Sequence, residues 1–229
     1  IAIVSAMKEE ISPIISEFNC SKIDTLNNQD IYEYKNNNDF LFLNSGIGKV
    51  NAAITTTLLI NKYNPDVIIN IGTAGGVHKD LDIADFVVAD KLVFHDVDVT
   101  GFSYELGQLP GQEQYFNIDN NEKFAKFLKQ IIPNIHIGTV ATGDQFVNDV
   151  NHQKKIDANF DNVYAIEMES TSIVMTCKQL NTPIFVLRTI SDLAYKESNI
   201  EFPKYLDIVS KQFVVIVKLI EEKGWLNEK

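Results

Sequence analysis

One apolar run constrains the fold of this chain more than any other feature. Pro65-Asp-Val-Ile-Ile-Asn-Ile71 is almost continuously hydrophobic and leads into the glycine-rich stretch Gly72-Thr-Ala-Gly-Gly76. A short continuous apolar run is typical of a central strand in a parallel sheet, because such a strand is buried on both faces. The glycines at the mouth of that strand have two interpretations, backbone that lies close to a small ligand and a closely packed turn. Further strands are predicted at 1–5, 85–95, 135–141, 163–167 and 183–190.

Helical patterns alternate with these strands. Their apolar residues recur at the three- and four-residue spacing of a buried helix face. A hairpin is predicted where 31–35 and 40–44 flank the turn-forming residues 36–39. Alternating strands and helices predict an α/β fold in a single domain, 1–229, with a mostly parallel sheet covered on both faces. The predicted helices are 7–18, 52–60, 122–132, 172–180 and 205–222, and 96–118 is predicted to be a long functional or interface loop.

Composition excludes several kinds of partner. The net charge of −11 over 229 residues argues against nucleic acid and anionic membranes. No apolar run approaches the ~18 residues of a membrane-spanning helix, and the start, which runs into Lys8-Glu-Glu10, does not have the pattern of a signal peptide. The two cysteines, Cys20 and Cys177, have no metal or disulfide spacing. We therefore expect reduced thiols, a cytoplasmic location and no metal.

Acidic residues follow two of the predicted strands. Val163-Tyr-Ala-Ile-Glu-Met-Glu-Ser-Thr171 delivers Glu167 and Glu169 at a strand-to-helix junction, and Asp192 follows the last strand. Side chains two positions apart on an extended segment point the same way, so both glutamates can face one pocket. A helix N-terminus that favours negative charge is the alternative interpretation. Further candidates are Glu9, Glu10 and Asp144, and such a set suits acid/base cleavage of a glycosidic bond.

Phosphate binding has little support in the sequence. Gly46-Ile-Gly48-Lys49 lacks the third glycine of a dinucleotide fingerprint and the Ser or Thr of a triphosphate loop. Arg188 is the only arginine, although arginine forks are the usual phosphate ligands. Water is therefore favoured over phosphate as the nucleophile, and lysines remain the alternative phosphate ligands.

Eight segments carry a resemblance to a known family, in order and from end to end. They are Ala6-Met-Lys-Glu-Glu10, Ser45-Gly-Ile-Gly-Lys-Val-Asn51, Pro65-Asp-Val-Ile-Ile-Asn70, His95-Asp-Val-Asp-Val-Thr100, Tyr104-Glu-Leu-Gly-Gln-Leu-Pro-Gly111, Thr142-Gly-Asp-Gln-Phe146, Ile166-Glu-Met-Glu169 and Ile190-Ser-Asp192. As a set they resemble the 5′-methylthioadenosine/S-adenosylhomocysteine nucleosidases, which are related to the purine nucleoside phosphorylases. The resemblance implies a three-layer α/β/α sandwich, no cofactor, and hydrolysis of the bond between adenine and a 5′-thio-substituted ribose, with 5′-deoxyadenosine as a further expected substrate.

The resemblance also implies roles for individual residues. Asp192 is the acid at adenine N7, Glu10 positions and deprotonates water, and Glu169 binds the ribose hydroxyls. The other implied substrate-binding residues are Ser191 beside Asp192, Arg188 near the water, Met168 under the ribose, Phe146 stacked on the base, the Val147 backbone at the base edge, Thr73, and the apolar Met7, Ile47 and Phe202. The family is a homodimer, and its partner subunit is expected to contribute Val99, Phe102 and Pro110.

Three positions depart from the family pattern. Lys8 stands where another Glu is usual, Thr73 where Ser is common, and Leu106 where an aromatic residue is found. Thr73 keeps the hydroxyl, and none of the three is a predicted catalytic residue. A nucleoside phosphorylase, a nucleoside-binding protein without catalysis and a futalosine-type hydrolase remain alternative functions.

Overall fold

Ten strands form one mixed sheet in the described part of the chain. The computed structural model describes residues 1–35, 39–193 and 202–224, without the side chains of residues 202–204 and 207. The strands are β1 (Ala2–Ser5), β2 (Ser21–Leu26), β3 (Gln29–Lys35), β4 (Asp39–Asn44), β5 (Ile68–Gly76), β6 (Phe86–Phe94), β7 (Phe116–Asn117), β8 (Ile135–Thr142), β9 (Val163–Glu167) and β10 (Ile184–Leu193). The helices are α1 (Lys8–Glu17), α2 (Lys49–Tyr63), α3 (Asn121–Leu128), α4 (Val150–Asn159), α5 (Ser170–Gln179) and α6 (Phe202–Lys223).

The sheet is open at one end and closed at the other. β1 pairs in parallel with β4 and β5, and the antiparallel strands β3 and β2 extend the sheet beyond β4. β5 also pairs with both β10 and β9, and the path β5-β10-β6-β8-β9 returns to β5. Closure removes the edge strands on that side. It also brings the carboxyl ends of β5, β8, β9 and β10 together, which positions the site described below.

Helices cover the sheet in two pairs, α1 packed against α6 and α2 packed against α5. Pro13 lies inside α1 and cannot donate the backbone hydrogen bond that would reach the Glu9 carbonyl. The Ser210 hydroxyl of α6 lies 3.1 Å from that carbonyl oxygen and can supply the missing donor. The contact between α1 and α6 thus compensates for a proline in the helix interior. Within the described ranges, no helix is both long enough and apolar enough to cross a membrane.

The glycine stretch after the first apolar run is not a turn, so the turn interpretation was wrong, whereas Gly72 and Gly75 do line the cavity described below. β5 continues through Gly72 to Gly76, with Gly75 and Gly76 paired to β9. A Cβ atom at Gly76 would lie 2.8 Å from the Ile190 side chain and 2.9 Å from that of Leu193. The glycines therefore permit close packing inside the closed part of the sheet rather than a change of chain direction.

The remaining differences concern polar segments and element ends. Strand β2 and helix α4 were not predicted, because SKIDTL is mostly exposed and VNHQKKIDAN buries only Gln153 and Ile156. β10 runs three residues past the predicted end and so carries Ser191 and Asp192 within the strand. The predicted hairpin strands pair as expected, and residues 36–38 of the predicted turn lie outside the described residues.

Candidate active site

A cavity of about 230 Å³ lies where the carboxyl ends of β5, β9 and β10 meet the first turn of α1. In open α/β sheets, ligands bind at this end of the strands. Its described lining is Ala6, Met7, Glu10, Ile47, Gly72, Thr73, Ala74, Gly75, Phe146, Ile166, Glu167, Met168, Glu169, Arg188, Ser191 and Asp192. The cavity therefore combines four carboxylates with an otherwise largely apolar wall.

Glu10 is held rigidly at one end of the cavity. Its Oε1 accepts hydrogen bonds from the Thr73 backbone N–H at 2.8 Å and the Thr73 hydroxyl at 3.1 Å. Its Oε2 accepts from the backbone N–H groups of Ala6 and Met7, both at 3.1 Å. Burial raises the pKa of Glu10 above its ordinary value, against the lowering effect of these donors. A positioned carboxylate with a raised pKa suits a general base near neutral pH.

Arg188 and Glu167 form a buried ion pair behind the cavity. Arg188 is 1% exposed, and its Nη2 donates to Glu167 Oε2 at 3.0 Å, to Asn70 Oδ1 at 2.6 Å and to Ser170 Oγ at 2.5 Å. Burial alone would raise the pKa of Glu167. The Arg188 charge and the hydrogen bonds from Thr142 and Ser170 outweigh burial, so the pKa lies below its ordinary range. Glu167 is therefore an anion that neutralises Arg188.

Glu169 lies two residues further on and behaves in the opposite way. The residue is 6% exposed, and its Oε1 accepts a hydrogen bond from the Gly48 backbone N–H at 2.8 Å. Burial, followed by repulsion from Glu167, raises the pKa of Glu169 to about 8. A ligand that donates hydrogen bonds to this carboxyl group, or that carries positive charge, therefore stabilises the anion of Glu169.

Asp192 lies across the cavity at the end of β10. The pairing of β10 with β5 shifts register between Ile190 and Asp192. The Ser191 hydroxyl donates to Asp192 Oδ1 at 2.7 Å, which leaves Oδ2 available to a ligand. A Cβ atom at Gly75 would lie 3.3 Å from that Oδ2, so the glycine keeps the approach to the carboxyl group open.

An ion-pair clamp outside the cavity connects two of its walls. Lys49 Nζ donates to both carboxylate oxygens of Asp96, at 2.8 and 2.7 Å. The same Asp96 accepts from the Asp144 backbone N–H at 2.9 Å, and Asp144 accepts from the Lys49 backbone N–H at 2.8 Å. The clamp of Lys49, Asp96 and Asp144 thereby fixes Gly48, whose N–H holds Glu169, relative to the loop that carries Phe146.

The structure brings most of the predicted site residues together. Ten of them line the cavity: Met7, Glu10, Ile47, Thr73, Phe146, Met168, Glu169, Arg188, Ser191 and Asp192. Val147 does not line it, and its carbonyl already accepts a hydrogen bond from the Gln153 side chain at 3.1 Å. The side chain of Phe202 lies outside the described residues. Val99, Phe102 and Pro110 are partly or fully exposed and lie outside the cavity of this subunit.

Sequence reasoning missed the contributions of Gly48, Gly72 and Asp96. Gly48 acts through its backbone N–H and Gly72 through the space that its missing side chain leaves, and no side-chain pattern signals either. Asp96 acts through its carboxylate, but folding alone brings Lys49 and the Asp144 N–H to it. A Cβ atom at Gly72 would lie 3.2 Å from both Arg188 Nη1 and Glu10 Oε1, so this glycine lets the two charged groups approach each other. In the described part of the chain, no cluster of three or more His, Cys, Asp or Glu is arranged to hold a metal ion.

A larger cavity, of about 370 Å³, lies at the amino ends of β6 and β8 beside α6. The one carboxylate in its described lining, Asp85, already accepts a hydrogen bond from the Asp82 backbone N–H at 2.8 Å and lies 3.1 Å from His136 Nε2. The smaller cavity is therefore the candidate active site, because its carboxyl groups have distinct protonation preferences and face a common space.

Comparison with known proteins agrees with this fold. The family model described as the Phosphorylase superfamily matches residues 1–220, so this is a phosphorylase-superfamily protein. A 5′-methylthioadenosine/S-adenosylhomocysteine nucleosidase from Exiguobacterium sp. is 41% identical over 233 residues, covering 97% of this chain and 99% of the relative. The chain belongs to the 5′-methylthioadenosine/S-adenosylhomocysteine nucleosidase family.

Solved structures give the same result. The nucleosidase of Campylobacter jejuni has a TM-score of 0.90 at 31% identity, covering 96% of this chain and 98% of that one. The Neisseria meningitidis nucleosidase in complex with methylthio-immucillin-A has a TM-score of 0.88 at 32% identity, covering 97% and 98%. The futalosine hydrolase of Helicobacter pylori has a TM-score of 0.89 at 31% identity, covering 97% of each chain.

Proposed function

We propose that this chain hydrolyses the N-glycosidic bond of 5′-methylthioadenosine and S-adenosylhomocysteine, and also that of 5′-deoxyadenosine. The products are adenine and the corresponding ribose. The observation that carries the proposal is the placement of Glu10 and Asp192 in one cavity with Glu169 and Met168, together with the engagement of Arg188 by Glu167.

Asp192 acts on the leaving group in this mechanism. Its carboxyl group, with Ser191 donating to Oδ1, gives the proton on Oδ2 to adenine N7 as the bond to the ribose breaks. Protonated adenine leaves as a neutral base, and general acid assistance of this kind is worth about 10²–10⁴-fold in rate. Phe146, which is 75% exposed without a ligand, stacks on the base.

Glu10 and Glu169 act on the ribose. Positive charge develops on the ring as the bond breaks, and Glu169 accepts hydrogen bonds from ribose hydroxyls that become more acidic beside that charge. Water adds to the anomeric carbon and loses its proton to Glu10. The raised pKa of Glu10 favours acceptance of that proton.

The contacts that Arg188 already makes favour hydrolysis over phosphorolysis. It is the one cationic side chain in the described lining of the cavity, and its Nη2 is already used by Glu167, Asn70 and Ser170. A phosphate ion in the cavity would face the anionic Glu167, and the one cation there is already paired with that carboxylate. Water, which carries no charge, avoids that repulsion.

Adenine release from 5′-methylthioadenosine tests this proposal directly. We expect release in phosphate-free buffer at a rate that added phosphate does not change. Asp192→Asn should lower kcat by about 10²–10⁴-fold. Phosphate-dependent release would identify a phosphorylase, and near-normal turnover by Asp192→Asn would remove the assignment of the acid.

Futalosine hydrolysis is a second candidate, favoured by the similarity to the Helicobacter pylori enzyme. Measuring kcat/KM on futalosine and on 5′-methylthioadenosine with the same preparation distinguishes the two. A higher value on futalosine would make it the principal substrate.

The active form in this proposal is a cytoplasmic homodimer. Val50, Ile54 and Leu58 form an exposed apolar row on α2, and Phe102 is 81% exposed. A contiguous apolar surface of this kind is typical of a protein interface. A second subunit would bring its Val99, Phe102 and Pro110 over the 5′ end of the substrate. Free Cys20 and Cys177 fit a reducing compartment.

A further inference from the structure

A second cavity, which we call the outer groove, adjoins the active-site cavity. It has a volume of about 700 Å³ and, among the described residues, is lined by Ala6, Met7, Lys8, Glu9, Gln29, Asn44, Gly46, Ile47, Asn51 and Leu206. Ala6, Met7 and Ile47 line both spaces. The two cavities therefore share one wall, formed by the start of α1 and the loop before α2.

The shared wall lies at the ribose 5′ end of the proposed substrate. The adenine-binding residues Phe146, Ser191 and Asp192 line only the active-site cavity. With the base at Asp192 and the ribose hydroxyls at Glu169, the 5′-substituent points past Met7 and Ile47. A long 5′-substituent must then continue into the outer groove, an orientation that rests on the function proposed above.

The outer groove differs chemically from the apolar wall that it follows. Lys8 and Glu9, both exposed in the first turn of α1, give it one positive and one negative charge. Within residues 1–35, 39–193 and 202–224, no hydrogen bond or ion pair engages the Lys8 ammonium or the Glu9 carboxylate. The hydrogen bond from Lys22 lowers the pKa of the nearby Asp30, and the Lys8 charge adds a smaller lowering effect. Lys22 forms the ion pair with Asp30 at 2.7 Å, so neither Lys8 nor Glu9 is held by a direct ion pair in the described part of the chain.

We propose that the outer groove binds the amino-acid tail of S-adenosylhomocysteine. Lys8 pairs with the α-carboxylate of that tail, and Glu9 pairs with its α-ammonium group. Asn51 Nδ2 already donates to the Ile47 carbonyl at 2.8 Å, which leaves the Asn51 side-chain oxygen free to accept from the ammonium group. 5′-Methylthioadenosine ends at an uncharged methyl group and does not reach these charges.

The ratio of kcat/KM for S-adenosylhomocysteine to kcat/KM for 5′-methylthioadenosine tests the proposal. Lys8→Met should lower this ratio by about two- to five-fold, the range for one exposed ion pair, and Lys8→Glu by on the order of ten-fold. Lys123→Met, which removes an exposed lysine from α3, is the matched control and should leave the ratio unchanged. The ratio for the parent protein should also fall as salt rises from 0.1 to ~1 M, because the Debye length shortens from about 10 to 3 Å.

A substrate without the carboxylate isolates the Lys8 contact. On 5′-(3-aminopropylthio)-5′-deoxyadenosine, Lys8→Met should not reduce kcat/KM relative to the parent protein. An equal loss on all three substrates, or an unchanged ratio in Lys8→Glu, would overturn the outer-groove assignment while the hydrolase function stood. Failure of the parent protein to release adenine from 5′-methylthioadenosine would instead overturn the proposed function.

Discussion

Glu167 and Glu169 are two positions apart in the chain, yet their pKa values shift in opposite directions. Glu167 meets Arg188, Ser170 and Thr142, so its anion is stabilised. Glu169 meets one backbone N–H and the negative charge of Glu167, so its anion is disfavoured. Glu167 therefore has a structural role in the site, whereas Glu169 can accept hydrogen bonds from a ligand.

The raised pKa of Glu169 predicts a pH-dependent stability of the ligand-free protein. The folded pKa of about 8 lies above the ordinary value of 4.5, so the folded state binds this proton more tightly. The stabilisation is fully present below about pH 4.5 and is lost as the pH rises through 8. Glu169→Gln should therefore unfold at a similar temperature to the parent protein at pH 5 and on the order of 10 °C higher at pH 8.

Thermal unfolding of both proteins at the two pH values measures this effect. If the unfolding temperatures of Glu169→Gln and the parent protein differed by the same amount at pH 5 and at pH 8, the raised pKa of Glu169 would be contradicted.

Gly72 offers a second prediction at the residue scale. An added methyl group would lie 3.2 Å from Arg188 Nη1 and Glu10 Oε1, and hydrogen bonds hold both groups in place. Displacing Glu10 from its position for catalysis should lower kcat/KM by about ten- to hundred-fold. Adenine release by Gly72→Ala and by the parent protein checks this, and equal activity would show that the site tolerates the methyl group.

At the scale of elements, the clamp of Lys49, Asp96 and Asp144 connects α2 to the ends of β6 and β8. Lys49→Met leaves Asp96 with one backbone donor and no cation. We expect the free energy of unfolding to fall by about 1–3 kcal/mol. Because Gly48 then moves away from Glu169, kcat/KM should fall about three- to ten-fold.

The pH profile separates positioning from a general loss of stability. The hydrogen bond from Gly48 lowers the pKa of Glu169, so its loss should move the acidic limb of the kcat/KM profile to higher pH. Lys49→Arg should restore part of the activity. Lys62 lies on the same helix as Lys49, and Lys62→Met breaks its more exposed ion pair with Asp24 of β2. This variant should leave the pH profile of kcat/KM unchanged. A normal profile in Lys49→Met would exclude the positioning role.

At the scale of the whole molecule, the apolar row on α2 and the loop around Phe102 predict an obligate dimer. Val50→Asp and Phe102→Asp place a charge in the proposed interface and should produce monomers with little activity, because the partner no longer covers the 5′ end. Val215→Asp, at a similarly exposed apolar position on α6, should remain dimeric and active. Sedimentation velocity combined with adenine release tests this, and a fully active monomer would refute it.

The sequence by itself determined the class of fold and the residue types of the site. Continuous apolar runs specify buried strands, and helical spacing specifies the helices that cover them. The acids at 10, 169 and 192 were among six candidates at strand ends and helix starts, and the family resemblance selected these three. Polar segments such as β2 and α4 were missed, because they are mostly exposed and lack an apolar periodicity; β2 forms through its pairing with β3.

Tertiary structure alone decided that the pKa values of Glu167 and Glu169 shift in opposite directions. The sequence places Glu167 and Glu169 on one segment, but only folding brings Arg188 to the first and Gly48 to the second. It also decided that the glycines after Ile71 continue β5, since closure of the sheet requires contacts between β5, β9 and β10. Protonation preferences and close packing depend on distances between side chains far apart in sequence. No local pattern in the chain encodes those distances.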